Sequence, residues 1–481
     1  MNLILLGIII YIGLQLFLGF YISRFIKSED DYLLGGRKLG YFLTTFSIFA
    51  TWFGAESCIG TAGAAYESGI AGVIADPFGY GLVLLLMGFF LAIPLYKMNL
   101  TTIADFFSKR YSDITARLIA LIMIPTSILW AAAQIRAFGL ILSTTSNLTV
   151  EMSILISAMI VITYTAFGGL LADAYTDLIQ GIVLIIGLVL LAISVFQDGQ
   201  EFQIVFQEIT HERFKINPAT ESLSTYNFLK TLEAWAIPIC GSLIAQEMVS
   251  RIFSAKSHIV AKRSSVLAGS LYILIGLLPL SLGLIGFNIY PNLDQPEQIL
   301  PMIAQKFLSP VLYIIFAGAL ISAILSTVDS TLLASSALMS HNILFPWLKV
   351  KDEKKKLKIS RFNVLLSGII AYILATKAEG VYNLVKDASA FGSSGIFIVF
   401  IFGLLGKFGN GFSAILTVLA GSIIWFIAHY IFGAELSYLI SLGSAMMIFV
   451  ISAISEKMVP SLSITIKKYS SLIFSLLFFR R

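Results

Sequence analysis

Charge is scarce in this chain. Charged residues make up 12% of its 481 positions, against about 25% in an average soluble domain. Hydrophobic residues make up 58%, more than a water-soluble core can hide, so lipid has to act as solvent for apolar stretches of roughly 20 residues each. Cysteine is nearly absent. Cys58 and Cys240 both lie in apolar stretches, which excludes a disulfide framework and offers no metal-ligand spacing. No His-Glu-x-x-His, no Gly-x-Ser-x-Gly and no nucleotide-binding loop occurs, so nothing points to an enzyme or to ATP-driven transport. The net charge of +5 is small and the basic residues sit between apolar spans, as topology signals do. Nucleic acid is not an expected partner, and no protein partner is implied.

What is present is a series of about thirteen candidate membrane-spanning helices between residues 3 and 455, an all-α integral membrane class. The first, from Leu3, lacks a basic leader and an Ala-x-Ala cleavage site and reads as an uncleaved span. Placing the N-terminus outside puts 25 of the 32 lysines and arginines, Arg251 among them, into alternate inner loops and the tail. One missed or invented helix would scramble that alternation, so the C-terminus is expected in the cytoplasm and the protein in a cell membrane. The loop 197–227 is expected to pack outside as a lid or surface helix, and Ser461–Phe479 to lie on the inner membrane surface.

Inside hydrocarbon every backbone group must be paired, so helix breakers at mid-span mark protein-lined or water-lined places. The second span carries Ala50-Thr51-Trp52-Phe53-Gly54-Ala55-Glu56 halfway across, and the seventh carries Pro238 and Gly241. Both read as broken helices at corresponding positions of two five-helix groups, as in inverted repeats that meet at a central site. The ninth span holds the densest polar face, Ser322-Ala323 and Ser326-Thr327-Val328-Asp329-Ser330-Thr331. Positions 323, 326, 327 and 330 share one side of a helix. Hydroxyl and carbonyl oxygens are hard donors that suit an alkali cation, with carboxylates such as Asp329 and Asp177 offsetting its charge.

These motifs, together with Gly168-Gly169-Leu170 leading to Tyr175-Thr176-Asp177 and Gln180, resemble the sodium:solute symporter family over essentially the whole chain. The resemblance implies a LeuT-like five-plus-five inverted repeat: an extra helix and first inner loop over 1–39, repeats over 40–196 and 228–406 joined by the loop 197–227, and two further helices with a tail over 407–481. It implies secondary symport of a small organic solute with Na+ by alternating access. The main sodium site would use the carbonyls of Ala50, Phe53 and Ala323 and the hydroxyls of Ser326 and Thr327. Asp177, Asp329 and Ser330 would hold a second sodium or serve coupling, although members with a second site carry a hydroxyl at the position of Asp329. A non-transporting sensor and a proton-coupled member of the same fold are the alternatives, and the short tail disfavours a fused signalling module.

Several motifs echo the choline branch, where Trp52 and Trp130 would be walls of a quaternary-ammonium cage. Ala245 stands where that branch has tryptophan. Glu56 and Arg136 are mid-span charges with two readings: a structural salt bridge, or the two ends of a site for a zwitterion, amino acid or carboxylate. Phe78, in Asp76-Pro77-Phe78-Gly79, either faces solute or packs. Glu247 and Arg251, four apart, are expected to pair locally near the inner surface. Trp425 and His429 are expected to pack or face lipid.

Overall fold

The computed structural model describes residues 3–146, 148–197, 213, 225–378 and 380–458. The loop 197–227 and the segment Ser461–Phe479, for which surface roles are expected, lie almost wholly or wholly outside the described residues. Among the described residues the architecture is entirely helical, with one isolated bridge between Leu39 and Ala255.

Nine described helices are long and apolar enough to cross a bilayer, and two bent pairs raise the number to eleven. One of them, Val150–Gln197, runs 48 residues. At 1.5 Å per residue it spans about 72 Å, more than twice the roughly 30 Å of hydrocarbon, and cannot be one straight crossing. Its interruption is Gly169, at φ 56° and ψ 178°. A side chain there would meet the ring and carbonyl of Tyr32, so the reversal requires glycine.

The molecule is polar at the centre and apolar outside. Phe42, Phe90, Leu405 and Phe432 stand exposed on its flanks, while Thr51, Asp177, Ser326, Thr327, Asp329 and Ser330 are buried at 1% exposure or less. That is the pattern of a bundle whose outer surface is solvated by lipid.

The helices that build the centre are α1 (Tyr41–Trp52), α2 (Thr61–Ser68), α3 (Asp113–Thr145), α4 (Val150–Gln197), α5 (Thr225–Ser242), α6 (Gln246–Ser254), α7 (Pro310–Ala337) and α8 (Val381–Ala390). The second-span break falls where the sequence puts it. α1 ends at Trp52, Phe53 leaves the helical region at φ −92° and ψ 74°, and the wider-wound turn Glu56–Gly60 leads into α2.

The seventh-span break falls later than expected. Pro238 sits inside α5, which continues to Ser242, and the chain bends by 48° between α5 and α6. A proline removes one hydrogen bond and kinks a helix without having to end it. The opening is at Leu243–Ala245 instead.

Candidate cation and solute site

Ending α1 at Trp52 takes away the amide that would cap the carbonyl of Ala50, and hydroxyls from α7 replace it. Ser326 Oγ donates to Ala50 O at 2.7 Å and Thr327 Oγ1 lies 3.5 Å from the same oxygen. The two hydroxyls also reach Ala323 O, at 3.0 and 3.1 Å. Four of the five oxygens expected around sodium therefore converge between the broken helix and α7, and Phe53 lies at the break itself. All five residues are at most 1% exposed. Hard neutral oxygens gathered in a dry place, with a backbone carbonyl from each of the broken helix and α7, are of the kind that suits an alkali cation.

The break is stapled by a residue that the sequence reading passed over. Gln134 of α3 accepts from the Ala55 amide at 2.9 Å and donates to Glu56 Oε2 at 2.6 Å. One side-chain amide thus satisfies both a freed N–H and a buried carboxylate. An amide in the middle of a spanning helix is the signal that would have marked it.

One turn along α7, the cluster expected to hold a second sodium contains a guanidinium. Arg251 of α6 is wholly buried and pairs with Asp173, with Asp177 Oδ2 at 3.7 Å. It also donates to Ser330 and, at 3.3 Å, to Ser47. Ser47 in turn donates to Asp177 at 2.7 Å, and Asp329 Oδ1 accepts from Thr165 at 2.5 Å. Arg251 is therefore not an inner-loop residue, and what it bonds of Glu247 is the backbone carbonyl, at 3.1 Å. The reason is electrostatic. Three aspartates buried together need a cation far more than one glutamate at the edge of a cleft does.

A narrow cleft, with a cavity volume of about 40 Å³, runs along α3 from Trp130 toward Met123, with Ser127, Ser242, Ala245, Glu247 and Ser389 among its walls. Trp130 donates its indole N–H to Val385 O of α8 at 3.3 Å, and Tyr80 meets its ring edge-on at 6.1 Å between centroids. Trp52 packs against Trp130 at 5.6 Å and is 1% exposed, so it stands behind Trp130 and does not line the cleft.

Glu56 and Arg136 do not meet. Glu56 bonds Gln134, while Arg136 reaches out of α3 to the carbonyl of Ala375 at 3.3 Å, because residues two apart on a helix point to different faces. Phe78 packs against Ala65, Val73, Leu280 and Leu284. Its neighbour Asp76 accepts from Ser57 at 2.8 Å and Tyr272 at 2.9 Å. Trp425 is buried and stacks on His429 at 4.9 Å, a packing role. The acid that does line the cleft, Glu247, is one whose sequence spacing suggested a local pair.

Residues 32–421 match the model of the sodium:solute symporter family. The high-affinity choline transporter 1 of Drosophila melanogaster is 29% identical over 376 residues, which are 74% of this chain and 59% of that protein. The chain thus spans less than two thirds of that relative's length. The sodium/proline symporter of Escherichia coli (strain K12) is 26% identical over 407 residues, 79% of this chain and 78% of that protein. Among solved structures, a Na+-coupled sialic acid symporter in a substrate-bound, outward-open state aligns with a TM-score of 0.83 at 20% identity, over 94% of this chain and 97% of that one. That likeness shows a common fold, the LeuT-like arrangement of helices.

Proposed function

The chain belongs to the sodium:solute symporter family, and we propose that it carries a small ammonium-bearing solute across a cell membrane together with sodium, by alternating access. It is a multi-pass membrane transporter and not an enzyme. Its relatives are named for choline and for proline, both of which carry a positive nitrogen.

The observation that carries the solute class is that Trp130 and Glu247 line one cleft. An aromatic face attracts a desolvated ammonium group, and a carboxylate at the cleft wall offsets its charge. Arg136, the one residue that spoke for a carboxylate anchor, donates to Ala375 and is absent from the cleft lining. Ala245 leaves the cage open on one side, which suits amino-acid and betaine head groups as well as choline.

In this reading sodium binds Ala50, Phe53, Ala323, Ser326 and Thr327. With sodium in place the two hydroxyls turn their lone pairs to the ion and the broken helix is clamped to α7. That clamp ties the order of the break to the presence of the ion, and with it the shape of the solute site on the same helices. Arg251, placed between Asp173, Asp177 and Ser330, supports coupling to one sodium in this reading. The repeats occupy 40–196 and 228–406, flanked by 1–39 and 407–481, with the N-terminus outside and the C-terminus cytoplasmic.

A thermal-shift panel on the purified protein tests the reading. Choline, betaines, amino acids, monocarboxylates and sugars are each added with sodium chloride and with N-methylglucamine chloride. Stabilisation by an ammonium-bearing compound only in sodium is expected. Stabilisation by sugars or monocarboxylates alone would overturn the solute class.

A further inference from the structure

Glu56 is buried at 1% exposure, and no lysine or arginine makes an ion pair with it among the described residues. Its Oε2 accepts from Gln134, but its Oε1 has no hydrogen-bond partner. Its direction is fixed by what surrounds Gly54. A methyl group built on Gly54 would lie 2.6 and 2.8 Å from the two Glu56 carboxylate oxygens and 2.8 Å from Thr327 Oγ1.

Both oxygens of an unpaired carboxylate and a hydroxyl of the sodium site therefore crowd the same face of Gly54 beside the helix break. Only a residue without a side chain lets the Glu56 carboxylate and Thr327 come so close together. The rest of the sodium donor set is neutral: three carbonyls and two hydroxyls. A cation held by neutral oxygens alone in low dielectric depends on a nearby anion for much of its stabilisation, and a carboxylate within about 4 Å provides several kcal/mol at an effective dielectric of 20.

We propose that Glu56 is the anionic member of the sodium site, its free carboxylate oxygen offered to the ion beside Gly54 and Thr327. The inference rests on the sodium reading above and adds a charge to it. It also assigns Glu56 to the ion and leaves Glu247 to the solute.

The test is sodium binding itself, read as the shift in melting temperature of the purified transporter while sodium chloride replaces N-methylglucamine chloride at constant ionic strength. Glu56→Gln keeps the shape and the acceptor for Gln134 but removes the charge. It is expected to raise the sodium concentration for half-maximal shift at least about tenfold, while Glu56→Asp stays closer to the parent. Ser326→Ala with Thr327→Ala is run beside it. If that double variant loses its sodium response while Glu56→Gln keeps the parent's half-point, the sodium site stands and the role given to Glu56 is overturned. Loss of solute binding by Glu56→Gln at unchanged sodium half-point overturns it equally. Should Glu56→Gln fail to fold, Glu56→Asp carries the test, since it keeps the charge and withdraws the carboxylate by one methylene without touching Thr327. A raised sodium half-point supports the proposal and an unchanged one refutes it.

Discussion

Arg251 of α6 is ion-paired with Asp173 of α4 at the closed centre of the bundle, with side chains 0% and 2% exposed. The pair joins the second half of the broken seventh span to the α4 helix, and Ser330 of α7 and Ser47 of α1 complete its hydrogen bonds. Four helices thus depend on one guanidinium.

Removing that guanidinium strands three buried carboxylates. Arg251→Ala is expected to cost about 3–5 kcal/mol, the usual consequence of breaking one side of a buried pair. Replacing both partners with apolar residues of similar size, as in Arg251→Met with Asp173→Leu, should recover part of the loss, with Asp177 and Asp329 still lacking their cation. Thermal unfolding in detergent measures both, and equal destabilisation by the single and the double variant would contradict this account.

In the proposed reading the Arg251 guanidinium, beside Asp173 and Asp177, takes the place of a second ion. Uptake measured against sodium concentration should therefore give a Hill coefficient near one. A coefficient approaching two would mean that Arg251 moves aside during the cycle.

The hydroxyl pair should be specific to the ion. Ser326→Ala with Thr327→Ala is expected to abolish the sodium dependence of uptake while leaving the protein folded, since alanine keeps α7 helical. Normal sodium affinity in the double variant would place the ion elsewhere.

Trp130 should act on the solute alone. Trp130→Ala removes a desolvated aromatic face worth about 2 kcal/mol to an ammonium group, roughly a thirtyfold rise in half-saturation. Its sodium half-point should not move. Glu247→Gln is expected to weaken the solute in the same selective way.

His341 bridges two acids on separate helices, Glu29 of Glu29–Leu34 and Asp105 of Ile103–Arg110: Nδ1 lies 2.5 Å from Glu29 and Nε2 lies 3.4 Å from Asp105. Burial alone would push the Asp105 carboxyl up, but His341 and the Thr101 and Thr102 amides outweigh it and hold the group at about 2. Burial likewise opposes the lowering of Glu29, and His341 and Lys356 outweigh burial. A depressed carboxyl stabilises the fold above its unfolded value and ceases to do so as pH falls through its folded value. Asp105 therefore contributes roughly 2 kcal/mol above about pH 4 that is lost between about pH 4 and pH 2. Asp105→Asn should flatten the fall of melting temperature across that window. An unchanged slope would show that the bridge does not contribute.

The sequence by itself determined the membrane class, the family resemblance, the position of the helix break at Ala50–Gly54 and the hydroxyl face of α7. Each is local information: apolar length, breakers at mid-span, and residues at helical spacing. Which charges meet was decided only by tertiary structure. Glu247 and Arg251 are correctly spaced for a pair, and Glu56 and Arg136 are both mid-span, yet neither pair forms. Arg251 goes to aspartates 74 and 78 positions away because buried carboxylates compete for the available cation across helices. Gln134 reaches a helix break 79 residues earlier for the same kind of reason. Burial makes every polar atom seek a partner, and only the rotation and packing of the helices say which partner is within reach.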